Sequence, residues 1–207
     1  MDLFALNAAQ IESETDPFTV SRYRQFSRWI APSARRILDV GCNTGRGGLI
    51  LKLKMPSAQI IGLDLLQARL DELPKSAYDA AICGSATSIP CEDGAFDAVV
   101  AGEFIEHLRG PDVFAFVHEA FRVLRIGGVL VLTTPNPGDI KRRLRGRSVL
   151  GGSHVSQHHP RELALQLRMA GFGVVNVRGS GKVSSYLGTR FPLLSLYGSF
   201  LIAARKF

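Results

Sequence analysis

Residues 37–48 read Ile-Leu-Asp-Val-Gly-Cys-Asn-Thr-Gly-Arg-Gly-Gly, and no other stretch constrains the fold as strongly. A short apolar run passes Asp39 and breaks into a loop carrying Gly41, Gly45, Gly47 and Gly48. Glycine lets a backbone take positive φ and lets a ligand approach without meeting a Cβ. Such a loop, set between a strand and a helix, is a nucleotide cradle, because free N–H groups and the helix dipole face the ligand. The glycine spacing decides against a dinucleotide. Counted from Gly41, that fingerprint needs Gly at position 43 and a small residue at 46, and the chain has Asn43 and Arg46. Counted from Gly45, Ile50 falls on the third glycine position.

Beyond this loop, apolar runs alternate with helical patterns. Strands are expected over 35–40, 59–64, 80–83, 98–101, 129–134, 174–178 and 200–205, with helices near 47–55, 113–124 and 160–171. Asp112 reads as the N-cap of the middle helix and Gly127 as its end. Tyr23, Phe26, Trp29 and Ile30 share one helical face, so residues 1–36 read as a leading helical segment. Alternating strands and helices imply an α/β fold with a parallel sheet covered on both faces. The 207 residues, 46% of them hydrophobic, suffice for one domain with a full core. Two segments exceed a minimal connection, 135–160 and roughly 180–198, and the first is the expected substrate lid.

Residues 37–48 resemble motif I of the class I S-adenosylmethionine-dependent methyltransferases, in the small-molecule, type 11-like group. The resemblance continues through Ile-Ile-Gly-Leu-Asp64, Cys-Gly-Ser-Ala-Thr-Ser-Ile-Pro at 83–90 and Gly-Ala-Phe-Asp-Ala-Val-Val-Ala-Gly-Glu-Phe-Ile-Glu-His-Leu at 94–108. It ends with Gly-Gly-Val-Leu-Val-Leu-Thr-Thr-Pro-Asn at 127–136 and a helix before Ala170-Gly171-Phe172. It implies a Rossmann-like sheet of seven strands, mostly parallel with the last antiparallel, and S-adenosyl-L-methionine as cofactor.

Asp64 ends the second strand about 25 residues after the turn, where a carboxylate accepts ribose hydroxyls; the same residue also suits a helix N-cap. Main chain at Gly41, Cys42 and Gly45 is expected to pass close to the cofactor. The resemblance implies that Asp39 helps place the methionyl part, that Leu65 packs on adenine, that Ser85 and Ala86 touch the adenine edge, and that Glu103 faces the sulfonium. Two departures bear on affinity. Asn43 replaces the usual glycine but tolerates positive φ. Ser85 replaces an Asp, and one charge-assisted bond lost costs roughly 1–2 kcal/mol.

His154 and His158 are the expected catalytic residues, as bases that titrate near neutrality. Their spacing would suit a metal only on a helix, which Gly151-Gly152 and Pro160 oppose, and no metal is expected. The three cysteines, Cys42, Cys83 and Cys91, form no Cys-x-x-Cys pair and point to a reducing compartment. With no signal-peptide pattern and no apolar run of spanning length, a cytoplasmic protein is expected.

Net charge is +7, and Lys141, Arg142, Arg143, Arg145 and Arg147 concentrate part of it. This run reads either as a solvated loop or as a surface for an anionic acceptor or a membrane. Nucleic acid is not expected, because no Asn/Asp-Pro-Pro-Tyr follows the fourth strand. The expected activity is O-methylation of a small-molecule, lipid or saccharide acceptor by in-line displacement. The alternative is a non-catalytic protein of the same fold with weakened cofactor affinity. Acceptor identity and oligomeric state are open.

Overall fold

A computed structural model describes residues 16–207, apart from the side chain of Val174. Seven strands form one sheet: β1 (Arg36–Val40), β2 (Gln59–Asp64), β3 (Ala80–Cys83), β4 (Phe96–Gly102), β5 (Leu124–Pro135), β6 (Phe172–Ser180) and β7 (Ser199–Lys206). Their order is β3-β2-β1-β4-β5-β7-β6. All pairings are parallel except those of β7, which runs antiparallel to both β5 and β6. The helices are α1 (Thr19–Phe26), α2 (Arg46–Lys54), α3 (Gln67–Asp71), α4 (Gly110–Val123), α5 (Ile140–Leu144), α6 (Pro160–Met169) and α7 (Ser184–Leu187).

Strand periodicity divides the core in two. Leu38, Val40, Leu63, Val99, Ala101, Leu130 and Leu132 face Phe116, Val117 and Ala120 of α4 and Leu163 and Leu167 of α6. Ile37, Ile60, Ala98, Val100, Val129 and Val131 face Tyr23 and Phe26 of α1, Leu51 of α2 and Leu70 of α3. Both sheet faces are therefore covered, as a mostly parallel sheet requires. Strand order reverses between β1 and β4, so their carboxyl ends open the crevice where ligands bind in such sheets.

Several expected boundaries move. The leading helix spans only Thr19–Phe26, so Trp29 and Ile30 lie beyond it; expectations for residues 1–15 lie outside the described residues. Helix α4 begins at Gly110 with Arg109 as its N-cap, which puts Asp112 inside the first turn rather than at the cap. The helix ends at Val123, because the chain enters β5 at once. Gly127, at φ +79, lies within that strand, beside a register irregularity between Phe96 and Ala98.

Candidate active site

A cavity of about 990 Å³ lies at the carboxyl ends of β1 and β4. Ligand pockets commonly hold about 300–1,000 Å³. One end is walled by the glycine loop, through Gly41, Cys42, Asn43, Thr44, Arg46 and Gly47. The other end is built from the connections after β5 and β6, including Lys141, Arg142, His154, Lys182 and Tyr186.

The loop turns sharply. Gly41, Asn43 and Gly45 take φ of +66, +50 and +86, and the main-chain N–H groups of Gly41 and Cys42 both donate to Leu63 O. Asn43 thus adopts the backbone a glycine would take. A Cβ at Gly41 would strike the Phe104 ring, and one at Gly45 would strike Leu73, Pro74 and Tyr78. Gly47 and Gly48 also make room for side chains: a Cβ on either would enter the ring of Tyr23 or Tyr78, respectively.

Those rings reach a buried carboxylate. Tyr23 donates its hydroxyl to Asp39 Oδ1 at 2.7 Å, and Tyr78 donates to Asp39 Oδ2 at 2.6 Å while accepting from Gly48 N–H at 3.1 Å. Burial pushes the Asp39 carboxyl up to about 6, against the two tyrosine hydrogen bonds, which favour the charged form. Burial also raises both tyrosines well above the usual phenol range, with the Asp39 charge adding to the shift. Asp39 lies wholly inside the protein and does not line the cavity.

Asp64 fastens the same loop from β2. Its Oδ2 accepts from Asn43 N–H at 3.0 Å and its Oδ1 from Leu66 N–H at 3.0 Å, with Arg69 at 3.8 Å. Asp64 therefore holds the loop from the strand end where it was expected to meet ribose. Leu65 is half-buried beside it. Ser85 shares a 2.7 Å hydrogen bond with the Thr87 hydroxyl and accepts from Thr87 N–H, while Ala86 packs into the core. Neither Asp64, Leu65, Ser85 nor Ala86 lines the cavity, whereas Gly41, Cys42, Glu103 and His154 do.

Glu103 follows β4 at φ +52, an uncommon conformation for a residue with a side chain. Its Oε2 accepts from Ser199 Oγ at 3.3 Å, and its Oε1 lies 3.7 Å from Arg22 Nε without a hydrogen bond. Arg22 also pairs with Asp16 at 2.7 Å, tying the entry of α1 to the cavity. This buried carboxylate oxygen suits a cationic ligand. The open loop, the start of α2 and Glu103 together fit a cofactor with a carboxylate at one end and a sulfonium beside it.

The histidines separate. His158 is buried, within reach of Ser156 Oγ at 2.9 Å and Ile105 O at 3.3 Å, and lines a small separate cavity with Gln157 and Glu162. Burial lowers its pKa. His154 reaches the main cavity instead, because the main chain hooks segment 151–156 onto the end of β4. Val155 N–H and Ser156 N–H both donate to Glu106 O, and His107 Nδ1 donates to Ser153 O at 3.0 Å. His154 Nδ1 donates to Val149 O at 3.1 Å. His107 stands edge-to-face with it, ring centroids 5.0 Å apart, and burial pulls its pKa down to about 4. Sequence spacing did not pair His154 with His107; the hook through Glu106 does.

A family model described as a methyltransferase domain matches residues 38–132. A ubiquinone biosynthesis O-methyltransferase of Xanthomonas axonopodis pv. citri (strain 306) is 31% identical over 176 residues, covering 76% of this chain and 71% of that protein. A malonyl-[acyl-carrier protein] O-methyltransferase of Laribacter hongkongensis (strain HLHK9) is 33% identical over 135 residues, 59% of this chain and 45% of the relative. The chain thus spans about half the length of some curated relatives it matches. In fold, it resembles a solved structure from Thermotoga maritima, described as a possible histamine N-methyltransferase, with a TM-score of 0.76, 19% identity and all of both chains covered. Among the described residues, no helix is long and apolar enough to cross a membrane.

Proposed function

The chain belongs to the class I S-adenosylmethionine-dependent methyltransferases, and from that premise we propose that it O-methylates a small-molecule, lipid or saccharide acceptor, anionic in character. The observation that carries this reading is the composition of the two cavity ends. One end offers a glycine loop and Glu103, and the other offers the cations Lys141, Arg142 and Lys182.

S-adenosyl-L-methionine supplies an already activated methyl group on a sulfonium sulfur. The residues that would hold it are the main chain of Gly41, Cys42 and Gly45, Asp64 beside the loop, and Glu103 facing the positive charge. Leu65, Ser85 and Ala86, which follow β2 and β3, would serve the adenine. Asp39 acts through the loop it supports, by way of Tyr23 and Tyr78. What remains for the protein is alignment and exclusion of water. The connection over 135–160 is suited to that task as a lid, since it contributes Lys141, Arg142 and His154 to the cavity wall.

A hydroxyl acceptor must also lose a proton, and His154 is placed to take it. The relatives support oxygen as the methylated atom: both the ubiquinone biosynthesis protein and the malonyl-[acyl-carrier protein] relative are O-methyltransferases. The basic segment favours an acceptor bearing carboxylate or phosphate.

The test follows labelled methyl from S-adenosyl-L-methionine into a panel of hydroxyl, carboxyl and amine acceptors, each in neutral and anionic form. It uses the wild type and a variant with Lys141, Arg142, Arg143, Arg145 and Arg147 all changed to Gln. Label on oxygen, with KM for the anionic acceptor raised about tenfold or more in the variant and cofactor affinity unchanged, is the expected result. Label on nitrogen, or an unchanged KM, contradicts the proposal.

A further inference from the structure

We propose that the cavity mouth docks on an anionic lipid bilayer, through the exposed faces of the connections after β5 and β6. The two connections meet in one surface. Asn136 Nδ2 donates to Leu194 O at 2.8 Å and to Tyr197 O at 3.0 Å, and α5 packs against the turn at Leu194–Leu196. Lys141 and Arg142 from the first connection, and Lys182 and Tyr186 from the second, line the same cavity.

Two observations carry the assignment, and the first is charge. From Ile140 to Phe207 the only acidic residue is Glu162, which sits at the start of α6 against the small cavity beside His158. Asp139, just before this stretch, is buried, and its Oδ1 accepts from Lys141 N–H at 3.0 Å as the N-cap of α5. The five basic residues at 141–147, with Lys182 and Arg190, thus stand on connections that carry no carboxylate between Ile140 and His159 or between Gly181 and Gly198. Each Lys or Arg near an anionic bilayer tightens binding about fivefold.

The second observation is apolar exposure among those cations. Helices α5 and α7 bury none of their residues. Leu144 is 81% exposed, Tyr186 78% and Leu193 55%, and Ile140, Leu150 and Phe191 are exposed as well. Single exposed apolar residues are ordinary, but a group gathered around one cavity mouth marks an interaction site. In α5, Ile140 and Leu144 stand one turn apart with Lys141, Arg142 and Arg143 between them, an interleaving that suits a headgroup interface. Tyr186 adds an aromatic ring of the kind that settles at headgroup depth. A soluble polyanion would satisfy the cations and leave these side chains in water. The basic run read in the sequence either as a solvated loop or as a surface, and its apolar neighbours favour the surface.

The consequence for chemistry rests on the reading above. Docking in this orientation sets the cavity mouth against the headgroups. Of the acceptor classes proposed it therefore selects the lipid, entering from the bilayer with its polar head inward past Lys141 and Lys182 toward His154. Binding to the bilayer does not depend on that chemistry.

The experiment co-sediments the full chain, without cofactor or acceptor, with vesicles of phosphatidylcholine alone or mixed with phosphatidylglycerol. Alongside the wild type run the variant with five Gln residues in 141–147 and a variant combining Leu144→Asp with Leu193→Asp. Neither leucine lines the cavity, and circular dichroism with thermal unfolding checks that each variant keeps its fold. The wild type is expected to bind the mixed vesicles alone, more weakly as salt rises. Affinity is expected to fall at least about tenfold in each variant. No binding to mixed vesicles, or equal binding to phosphatidylcholine alone, overturns the proposal. Unchanged binding by the folded leucine variant also overturns it, because the surface would then be one for soluble polyanions. Vesicle binding without methyl transfer to any lipid would contradict the functional reading and leave the docking surface standing.

Discussion

The two ends of the cavity handle their polar groups in opposite ways. At the cofactor end, Asp39 receives two tyrosine hydroxyls and Asp64 receives two main-chain N–H groups, so both carboxylates are engaged within the protein. Just after β4, by contrast, Glu103 and Glu106 each bury an oxygen that no hydrogen bond completes. Lys141 is exposed at the cavity rim, and the neighbouring cations Arg143, Arg145 and Arg147 are exposed beside it. Engaged groups hold a loop in one geometry, which suits a cofactor that never varies. Incomplete groups store binding capacity for something that arrives from outside, at a cost to stability. The contrast thus separates a prebuilt half from a half awaiting its ligand.

The sharpest way to break this comparison is through pH. Asp39 titrates at about 6 in the folded protein against 3.8 unfolded, so the folded state holds the proton more tightly. Its contribution to stability is full below about pH 4 and is lost as pH rises through 6, amounting to about 3 kcal/mol at 1.36 kcal/mol per pKa unit. Denaturant unfolding of the wild type and Asp39→Asn across pH 4–7 should show that much relative loss in the wild type alone. Parallel curves would mean that Asp39 is not the sealed group described.

A smaller effect is expected from Tyr78→Phe. It removes the donor to Asp39 and the acceptor of Gly48 N–H, leaving both without that partner in the interior, at about 2 kcal/mol. Thermal unfolding measures it. The variant with five Gln residues in 141–147 gives the contrast, because exposed substitutions usually stay within about 0.5 kcal/mol. Equal destabilisation of the two variants would erase the distinction between the cavity ends.

The alternation of strands and glycine-marked turns made most of the sheet legible in the sequence. Strands β2 and β3 fall where apolar runs place them, and Asn43 takes the backbone its side chain tolerates. Periodicity failed where two signals overlap: helical spacing continues to Leu124, but sheet pairing with Phe96 claims that residue for β5. In the site, Gly41 and Gly45 were read for their conformation, and they take it. Gly47 and Gly48, which belong to the same glycine-rich stretch, make room for Tyr23 and Tyr78, rings from distant parts of the chain. Likewise, His154 joins Glu106 and His107 through main-chain hydrogen bonds across nearly fifty residues, which no local spacing encodes.

The proposed cofactor cradle rests on the loop that Asp64 fastens. Calorimetric titration of S-adenosyl-L-methionine into the wild type and Asp64→Ala, with NAD as control, tests it most directly. Micromolar binding to the wild type, none of NAD, and about a hundredfold loss in Asp64→Ala are expected, since two charge-assisted bonds at about 1.5 kcal/mol each give about 3 kcal/mol. Equal affinity in the two proteins, or NAD binding as tightly as S-adenosyl-L-methionine, would contradict the account.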